Sequence, residues 1–206
     1  MTGCAVVTGY TGFVATGQWF VDSKGTRWFF DSGALSLDFG YTGDYGYDVP
    51  AWEQLHCADD LAGWLTGRFG ALQAAATAAQ FAGALRLRAA ITSVARAIAD
   101  GVRPRSTDVD LINGVAAGAD IAPVLDGGSV GPQPVDVARA LSTIARDAVA
   151  TFSSGPGRIR RCGSDNCALI FLDSSRPNSR RWCSMQRCGN RTKLRTHRHR
   201  TKEVTS

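Results

Sequence analysis

The chain has 206 residues, of which 44% are hydrophobic and 20% are charged, and this composition is typical of a folded globular protein rather than a disordered one. No stretch of about 18 consecutive apolar residues occurs, which excludes a transmembrane helix. The first residues lack the basic start and apolar centre of a signal peptide. We therefore expect a cytoplasmic protein with no part in the membrane.

The net charge of +5 is divided very unevenly along the chain. From residue 158 onwards there are 13 Lys and Arg residues against three acids, a net charge of +10, so the preceding residues carry −5. Such an asymmetry is typical of a protein whose basic end binds a polyanion.

The first fifty residues predict little regular structure. Residues 1–25 are rich in Gly and Thr, and we treat them as an N-terminal extension of uncertain structure. Residues 27–39 carry aromatic side chains in a loose alternation, which predicts one or two short strands around a turn at Gly33. Residues 40–50, rich in Gly, Tyr and Asp, are expected to form a loop.

Amphipathic helices are predicted over most of the next hundred residues. Asp59 and Asp60 suit the first turn of a helix, because acids there interact favourably with the helix dipole. Two longer helices are indicated by apolar stripes with helical spacing. The first stripe comprises Leu87, Ile91, Val94 and Ile98, and the second comprises Val137, Leu141, Ile144, Ala148 and Phe152. A shorter helix is expected from Thr107, and residues 121–134 predict a turn-rich connection that can include a hairpin.

A break at residues 153–157, Ser-Ser-Gly-Pro-Gly, predicts a linker between two domains. The preceding domain, residues 26–152, is long enough to bury a core unaided, and we predict that it is mostly helical with a short β element. Residues 158–200 contain few large aliphatic side chains, and a segment that small and polar usually needs a metal or disulfides to fold. Residues 201–206 are expected to form a tail.

Four cysteines after the linker predict a structural zinc site. Cys162 and Cys167 form one pair and Cys183 and Cys188 another, with four residues within each pair and 15 between the pairs. Each pair can wrap one edge of a zinc ion, and two pairs complete a tetrahedron that leaves no open position for catalysis. Two disulfides or four free thiols are the alternatives, and in a chain without an export signal we prefer the metal.

The elements around the cysteines predict a small treble-clef-like module. The apolar run from Ala168, followed by Ser-Arg-Pro-Asn-Ser, predicts a β-hairpin between the two cysteine pairs. A proline-free helix is expected from about Ser184 to residue 200. We therefore predict a mostly α fold, in which a helical N-terminal domain is followed by a zinc module with a β-hairpin and a C-terminal helix.

Basic side chains on this C-terminal helix indicate a DNA-binding surface. A row with 4-4-3 spacing lies on one face and comprises Arg187, Arg191, Arg195 and Arg198. Lys193 lies on the opposite face. Arg180 and Arg181 precede the helix and can hold the phosphate backbone, and Asn190 has the chemistry to bind adenine or a phosphate. RNA, a protein partner or a purely structural use of these residues are the alternatives.

This part of the chain resembles a known family. The segment Arg181-Trp-Cys-Ser-Met-Gln-Arg-Cys-Gly-Asn-Arg-Thr-Lys193 matches the signature of the CGNR zinc finger family of bacterial proteins, and the preceding Ile-Phe-Leu-Asp-Ser-Ser-Arg agrees as well. The resemblance covers about residues 158–200. It implies zinc on the four cysteines and DNA binding by the finger. Members are regarded as stress-related transcriptional regulators and usually carry an N-terminal helical domain called ABATE.

The N-terminal domain resembles ABATE over residues 30–150. Gly33-Ala-Leu-Ser-Leu-Asp-Phe is similar to the ABATE opening, whose usual continuation is Leu-Asp-Phe-Val-Asn-Thr; here Gly40 and Tyr41 replace the Val and the Asn. Leu87-Arg-Ala-Ala-Ile and Leu111-Ile-Asn are similar to further ABATE segments. The resemblance implies a domain that binds an unknown small ligand.

Three polar residues of the N-terminal domain lie among apolar neighbours and are candidate ligand contacts, namely Asp38, Arg88 and Asn113. A buried polar group needs a partner. That partner is either a small-molecule ligand or another of these residues, and an ion pair between Asp38 and Arg88 is the simpler expectation.

Together these patterns predict a zinc-containing, DNA-binding transcriptional regulator at the nucleoid, whose N-terminal domain senses a small ligand or forms a homodimer. A dimer would double the contact that one small module makes with DNA. The alternative is a zinc-stabilised module that binds another protein without direct DNA binding. No nucleophile elbow, phosphate loop or metalloprotease motif occurs, so we do not expect an enzyme.

Overall fold

The structure is a computed structural model, and it describes residues 15–21, 25–45, 47, 50–131, 133–155 and 157–193. Helices dominate these residues, which confirms the prediction of a mostly α fold. The α-helices are α1 Leu35–Gly40, α2 Ala58–Phe69, α3 Ala78–Ala99, α4 Ser106–Ala116 and α5 Val137–Phe152. A 3₁₀ turn spans Pro50–Trp52. A π-helical turn, Met185–Gly189, continues into helical residues 190–193, and we call residues 185–193 the finger helix.

Short antiparallel hairpins accompany these helices. β1 Gln18–Val21 pairs with β2 Arg27–Phe30, β3 Leu125–Asp126 pairs with β4 Ser129–Val130, and β5 Ile159–Arg161 pairs with β6 Ile170–Leu172. The hairpin β3–β4 lies within residues 121–134, where the sequence allowed one. β1 lies within residues 1–25, where the sequence predicted no element.

Residues 35–40 form a helix, so the prediction of a strand after Gly33 was wrong. Every residue of α1 is buried, and its apolar side chains are therefore not confined to one face. A helix that is buried on all sides does not need its apolar residues to recur with helical spacing. The loose alternation of apolar residues was therefore misleading here. The predicted turn at Gly33 is present, with a φ of +83° and with Leu172 O only 2.7 Å from where a Cβ atom would lie.

α3 is the central helix of the N-terminal domain and contacts α1, α2, α4 and α5. It begins with a capping box, in which Thr77 accepts from the Gln80 amide and the Gln80 side chain accepts from the Thr77 amide. The Asp136 side chain caps α5 by accepting from the backbone amides of Ala138 and Arg139. Both predicted stripes are confirmed as the buried faces of these helices, through Leu87, Ile91 and Val94 on α3 and Val137, Leu141, Ile144 and Ala148 on α5.

The described apolar side chains form two core clusters. The larger cluster lies within the N-terminal domain, among all five α-helices. The smaller cluster, which we call the junction core, combines side chains from distant parts of the sequence. It contains Phe30, Leu37, Tyr41 and Tyr45 together with Ile159, Cys162, Ile170, Phe171, Cys183 and Cys188. The residues after position 158 therefore pack on the N-terminal domain as well as around their own cysteines.

The hairpin after the linker is formed by other segments than we predicted. We expected both of its strands between the cysteine pairs, but β6 pairs with β5, which lies before Cys162. The sequence of β5, Ile-Arg-Arg, has a single apolar residue and gave no strand pattern, although Ile159 is buried. The hairpin consequently encloses the first cysteine pair, and turns rather than a second strand follow β6.

Candidate metal centre and nucleic-acid surface

The four predicted metal ligands are brought together. The sulfur atoms of Cys162, Cys167, Cys183 and Cys188 all lie within 4.8 Å of one another. The Sγ atoms of Cys167 and Cys183 are 3.7 Å apart, and those of Cys183 and Cys188 are 3.5 Å apart. A regular tetrahedron with Zn–S bonds of about 2.3 Å has S–S distances of about 3.8 Å. The donor set and its dimensions therefore fit zinc, and none of the described cysteines forms a disulfide.

The thiols of Cys162, Cys167 and Cys183 do not titrate independently of one another. Hydrogen bonds with the Cys167 and Cys183 side chains lower the pKa of Cys162 to about 2. The hydrogen bond with Cys162 in turn raises the pKa of Cys167 to about 12 and that of Cys183 well above its usual range. Cys162 loses its proton easily whereas Cys167 and Cys183 hold theirs, because adjacent thiolates repel one another. A divalent cation removes this repulsion, so the cluster is arranged to bind a metal.

A buried carboxylate organises the chain between the two cysteine pairs. Asp173 is fully buried and accepts hydrogen bonds from the amide and hydroxyl of Ser175 and from the amide of Arg180. Burial raises the pKa of Asp173, but these bonds outweigh it and leave the pKa below its usual value. We missed this residue, although Asp followed by two Ser residues is a sequence typical of such a turn.

The predicted DNA contacts differ in how they are exposed. The exposed ones are Arg181, Asn190, Arg191 and Lys193, and Arg187 is half-buried. Arg195 and Arg198 lie outside the described residues. Arg181 lies just before the second cysteine pair, and the other exposed residues lie on the finger helix. All of them belong to one stretch of 13 residues, 181–193.

Arg180 has a structural position instead of an exposed one. Its guanidinium donates to the carbonyl oxygens of Asp31, Trp182 and Cys183. It also lies 4.2 Å from the centre of the Phe171 ring, a cation–π contact. Arg180 therefore joins the second cysteine pair to the N-terminal domain, and we do not include it in the candidate surface.

Other arginines of the basic segment are also engaged within the protein. Arg161 binds Asp100 of the N-terminal domain through two hydrogen bonds of 2.5 and 2.7 Å. Arg158 donates to the carbonyl oxygens of Asp173 and Ser175. The charge available to a partner is therefore smaller than the sequence count suggests. Within the described residues 158–193, the exposed cationic side chains are those of Arg176, Arg181, Arg191 and Lys193.

Asp38 and Arg88 do not form the ion pair that we expected. Asp38 is fully buried, and its carboxylate accepts from the Ser32 hydroxyl and the Gly17 amide. Its nearest cation is Arg68, 3.5 Å away.

Arg88 binds Glu53 instead, through two hydrogen bonds of 2.5 and 2.6 Å. Glu53 lies between the 3₁₀ turn and α2, a position that sequence spacing could not place opposite α3. Asn113, the third candidate ligand contact, is exposed on α4. The described structure thus supplies protein partners for two of the candidates and does not place the third among apolar neighbours.

Tyr41 was missed as a site residue. Its hydroxyl donates to the carbonyl oxygen of Ile170 at 2.8 Å and accepts from the Ile170 amide at 2.6 Å. Its ring stacks on Tyr45 with 4.3 Å between the ring centres, and a Cβ atom at Gly40 would lie 2.8 Å from the Tyr45 ring. The two departures from the ABATE opening are therefore linked: Gly40 makes room for the aromatic stack that holds Tyr41 against β6. The simultaneous replacement of both residues, by Gly40 and Tyr41, was the sequence signal that could have identified this contact.

Comparison with known proteins agrees with this arrangement. A family model described as "CGNR zinc finger" matches residues 158–201, and the ABATE model, described as "Putative stress-induced transcription regulator", matches residues 33–155. A search of curated proteins found no match. Among the described residues, no helix is long and apolar enough to span a membrane. Since the ABATE match covers more than half of the sequence, the chain belongs to the ABATE family, and a CGNR zinc finger follows its ABATE domain.

Proposed function

We propose that this protein is a transcriptional regulator that binds DNA through its zinc-stabilised finger. The observation that carries the proposal is the position of the four-cysteine cluster at the start of the finger helix, whose exposed side chains include Asn190, Arg191 and Lys193. Cys183 precedes this helix and Cys188 lies within its first turn, so a bound metal would fix its direction. Four thiolates leave no open coordination position, and the metal would be structural.

The charge distribution supports a polyanionic partner. Arg181, Arg191 and Lys193 are exposed, whereas of the two acids within residues 158–193 Asp173 is buried and Asp165 alone reaches the surface. A helix that presents Arg and Asn can enter the major groove, where Arg binds guanine and Asn binds adenine. Contacts of the cationic side chains with phosphates would supply most of the affinity.

The N-terminal domain would then position fingers on DNA. We expect two copies to act together, because one small finger gives modest specificity and a dimer doubles the contact. A regulator of this kind would work at the nucleoid, in the cytoplasm. Size-exclusion chromatography with and without DNA tests the dimer, and a strict monomer at micromolar concentration in both conditions would contradict it.

DNA binding can be tested by fluorescence anisotropy of labelled duplex DNA across a salt series. We expect the zinc-loaded protein to bind at low salt with an affinity that falls steeply as salt rises, because binding releases counterions from the phosphates. Cys183→Ser, which removes a buried ligand, should abolish binding. Arg191→Ala should weaken binding and reduce the slope of log K against log salt by about 0.9, the value for one phosphate contact.

A matched control keeps this test specific. Arg105→Ala removes an exposed arginine that lies outside the finger and pairs locally with Asp108. It should change neither the affinity nor the slope. Absence of binding by zinc-loaded protein at low salt would contradict DNA binding and favour the alternative, a zinc-stabilised module that binds another protein. A partner bound with little dependence on salt would support that alternative.

A further inference from the structure

The hairpin β1–β2 lies outside both regions that the family models match, since it ends at residue 30 and the ABATE match begins at residue 33. Its two faces differ. Phe20, Trp28 and Phe30 pack on the junction core, whereas Trp19 and Phe29 face solvent on the other side, with Trp19 61% exposed. The inner face therefore lies against the part of the protein that contains the metal cluster.

Polar contacts fix the start of this hairpin on the N-terminal domain. The Gly17 amide donates to the buried carboxylate of Asp38 at 2.6 Å. The guanidinium of Arg68 donates to the carbonyl oxygens of Ala15 and Gly17. Hydrogen bonds to charged groups are among the stronger ones in proteins, so the first strand has a defined position.

Aromatic contacts fix the orientation of Trp28 within the hairpin. Trp28 and Phe20 face each other across the two strands and stack with 5.4 Å between their ring centres. Phe20 in turn meets Tyr41 edge-on at 6.1 Å. The Trp28 ring is thus held by its neighbours before any partner binds.

Trp28 presents this ring to the finger helix. The guanidinium carbon of Arg187 lies 4.2 Å from the centre of the ring, the geometry of a cation–π contact. Arg187 is half-buried, and its guanidinium makes no hydrogen bond with the described residues. A cation–π contact uses the charge of the guanidinium and none of its N–H groups, so these can still bind a phosphate.

Arg187 also lies on the face of the finger helix that the sequence assigned to DNA. Arg191 follows it by four residues and therefore lies one turn further along the same face. The described part of this helix is nine residues long, too short to be stable without tertiary contacts. The cysteines hold it at one side, and the contact with Trp28 is a second attachment.

We propose that Arg187 is a phosphate contact held ready by the hairpin and that Trp28 is its positioning residue. This inference rests on the proposed DNA binding. If the proposal holds, the hairpin β1–β2 is a functional part of the finger, although the whole ABATE domain lies between the two in the sequence.

A double-mutant cycle in the full-length, zinc-loaded protein tests the proposal by DNA anisotropy across a salt series. Arg187→Ala should lower the affinity and reduce the salt slope by about 0.9, because one phosphate contact is lost. Trp28→Leu leaves every charge in place, so it should lower the affinity about three- to tenfold with an unchanged slope. In the Arg187→Ala background, Trp28→Leu should cause no further loss.

Trp19→Leu is the matched control, because it changes the same residue type on the opposite, exposed face of the same hairpin. It should leave DNA affinity unchanged. An equal loss from Trp28→Leu with and without Arg187 would overturn the proposal, since the tryptophan would then act only through general stability.

Amide hydrogen exchange provides a second readout that does not require DNA. Trp28→Leu should accelerate exchange in the finger helix relative to Trp19→Leu, at equal zinc content. If the wild-type protein binds no DNA, the proposed function fails, and faster exchange would still support the attachment of the helix by Trp28. Equal exchange in the two variants would overturn that attachment.

Discussion

Asp38 illustrates how a single buried carboxylate links several segments of this protein. It lies on α1, accepts from Ser32 and Gly17, and attracts Arg68 of α2. Burial raises the pKa of Asp38 to about 6, although the hydrogen bond from Ser32, the charge of Arg68 and the amide of Gly17 lower it in part. The folded state therefore binds a proton at this residue at a pH where the unfolded chain has already lost it.

The stability of the protein should consequently depend on pH through Asp38. Between about pH 4 and pH 6 the folded state holds more protons than the unfolded state, so the free energy of unfolding falls as the pH rises through this window. The cost is about 3 kcal/mol once the carboxyl is ionised in both states, since each pKa unit corresponds to about 1.4 kcal/mol.

Asp38→Asn removes this titration and leaves the other groups in place. The free energy of unfolding, measured with urea, should therefore fall from pH 5 to pH 7 by more in the wild type than in the variant. Taking the difference cancels the pH dependence of metal binding, which both proteins share. A difference that stays constant across these pH values would contradict the raised pKa of Asp38.

At the scale of elements, the free edge of β6 is covered by the N-terminal domain. The Tyr47 hydroxyl donates to the carbonyl oxygen of Ala168, Tyr41 binds both backbone groups of Ile170, and the Leu172 amide donates to the carbonyl oxygen of Ser32. Positions 168, 170 and 172 alternate along one edge of the strand. An edge that would otherwise expose unpaired backbone groups is thus closed within the molecule.

Tyr41→Phe should destabilise the protein by about 2–4 kcal/mol, because it leaves a buried N–H and a buried C=O of Ile170 without a partner. Denaturant unfolding measures the loss. The Tyr47 hydroxyl donates to Ala168 in an exposed bond and accepts from Arg161, whose guanidinium keeps its two hydrogen bonds with Asp100. Tyr47→Phe should therefore cause a smaller loss, because water can replace the exposed bond. Equal losses of unfolding free energy in the two variants would contradict the idea that burial makes the Tyr41 hydrogen bonds more stabilising than those of Tyr47.

The elements also show what could be predicted from sequence and what could not. α3 and α5 were predicted because each buries one face, and one-sided burial leaves a stripe in the sequence. α1 is buried on all sides and leaves none. The cysteine ligands were predicted because each pair is local. The partners of Asp38 and Arg88 come from Gly17 before β1, Ser32 after β2, α2 and the segment before α2, and sequence spacing does not report such distant contacts.

At the scale of the whole molecule, the predicted linker does not divide the hydrophobic core. The junction core contains residues from both sides of positions 153–157, including Phe30 and Tyr41 from one side and Phe171 and Cys183 from the other. Asp100 and Arg161 add an ion pair across the same boundary. Loss of order around the cysteines should therefore also destabilise the N-terminal domain.

Removal of the metal tests this coupling. A strong chelator should lower the melting temperature of the full chain by on the order of 10 °C or more, since metal binding contributes folding free energy and about 1 kcal/mol corresponds to about 2–4 °C in a protein of this size. Calorimetry should show one transition that moves as a unit. Two transitions, of which the larger is unaffected by the chelator, would mean that the two parts unfold independently.

The contact between Tyr41 and Ile170 spans 129 positions of the sequence. Contacts of such range form slowly, because a long loop must close before they give any stabilisation. A growing chain on the ribosome therefore carries the aromatic cluster of residues 30–45 uncovered while everything up to β6 is still being synthesised. We expect the protein to be most prone to aggregation during that interval, which ends only once β6 has been synthesised and can cover the cluster.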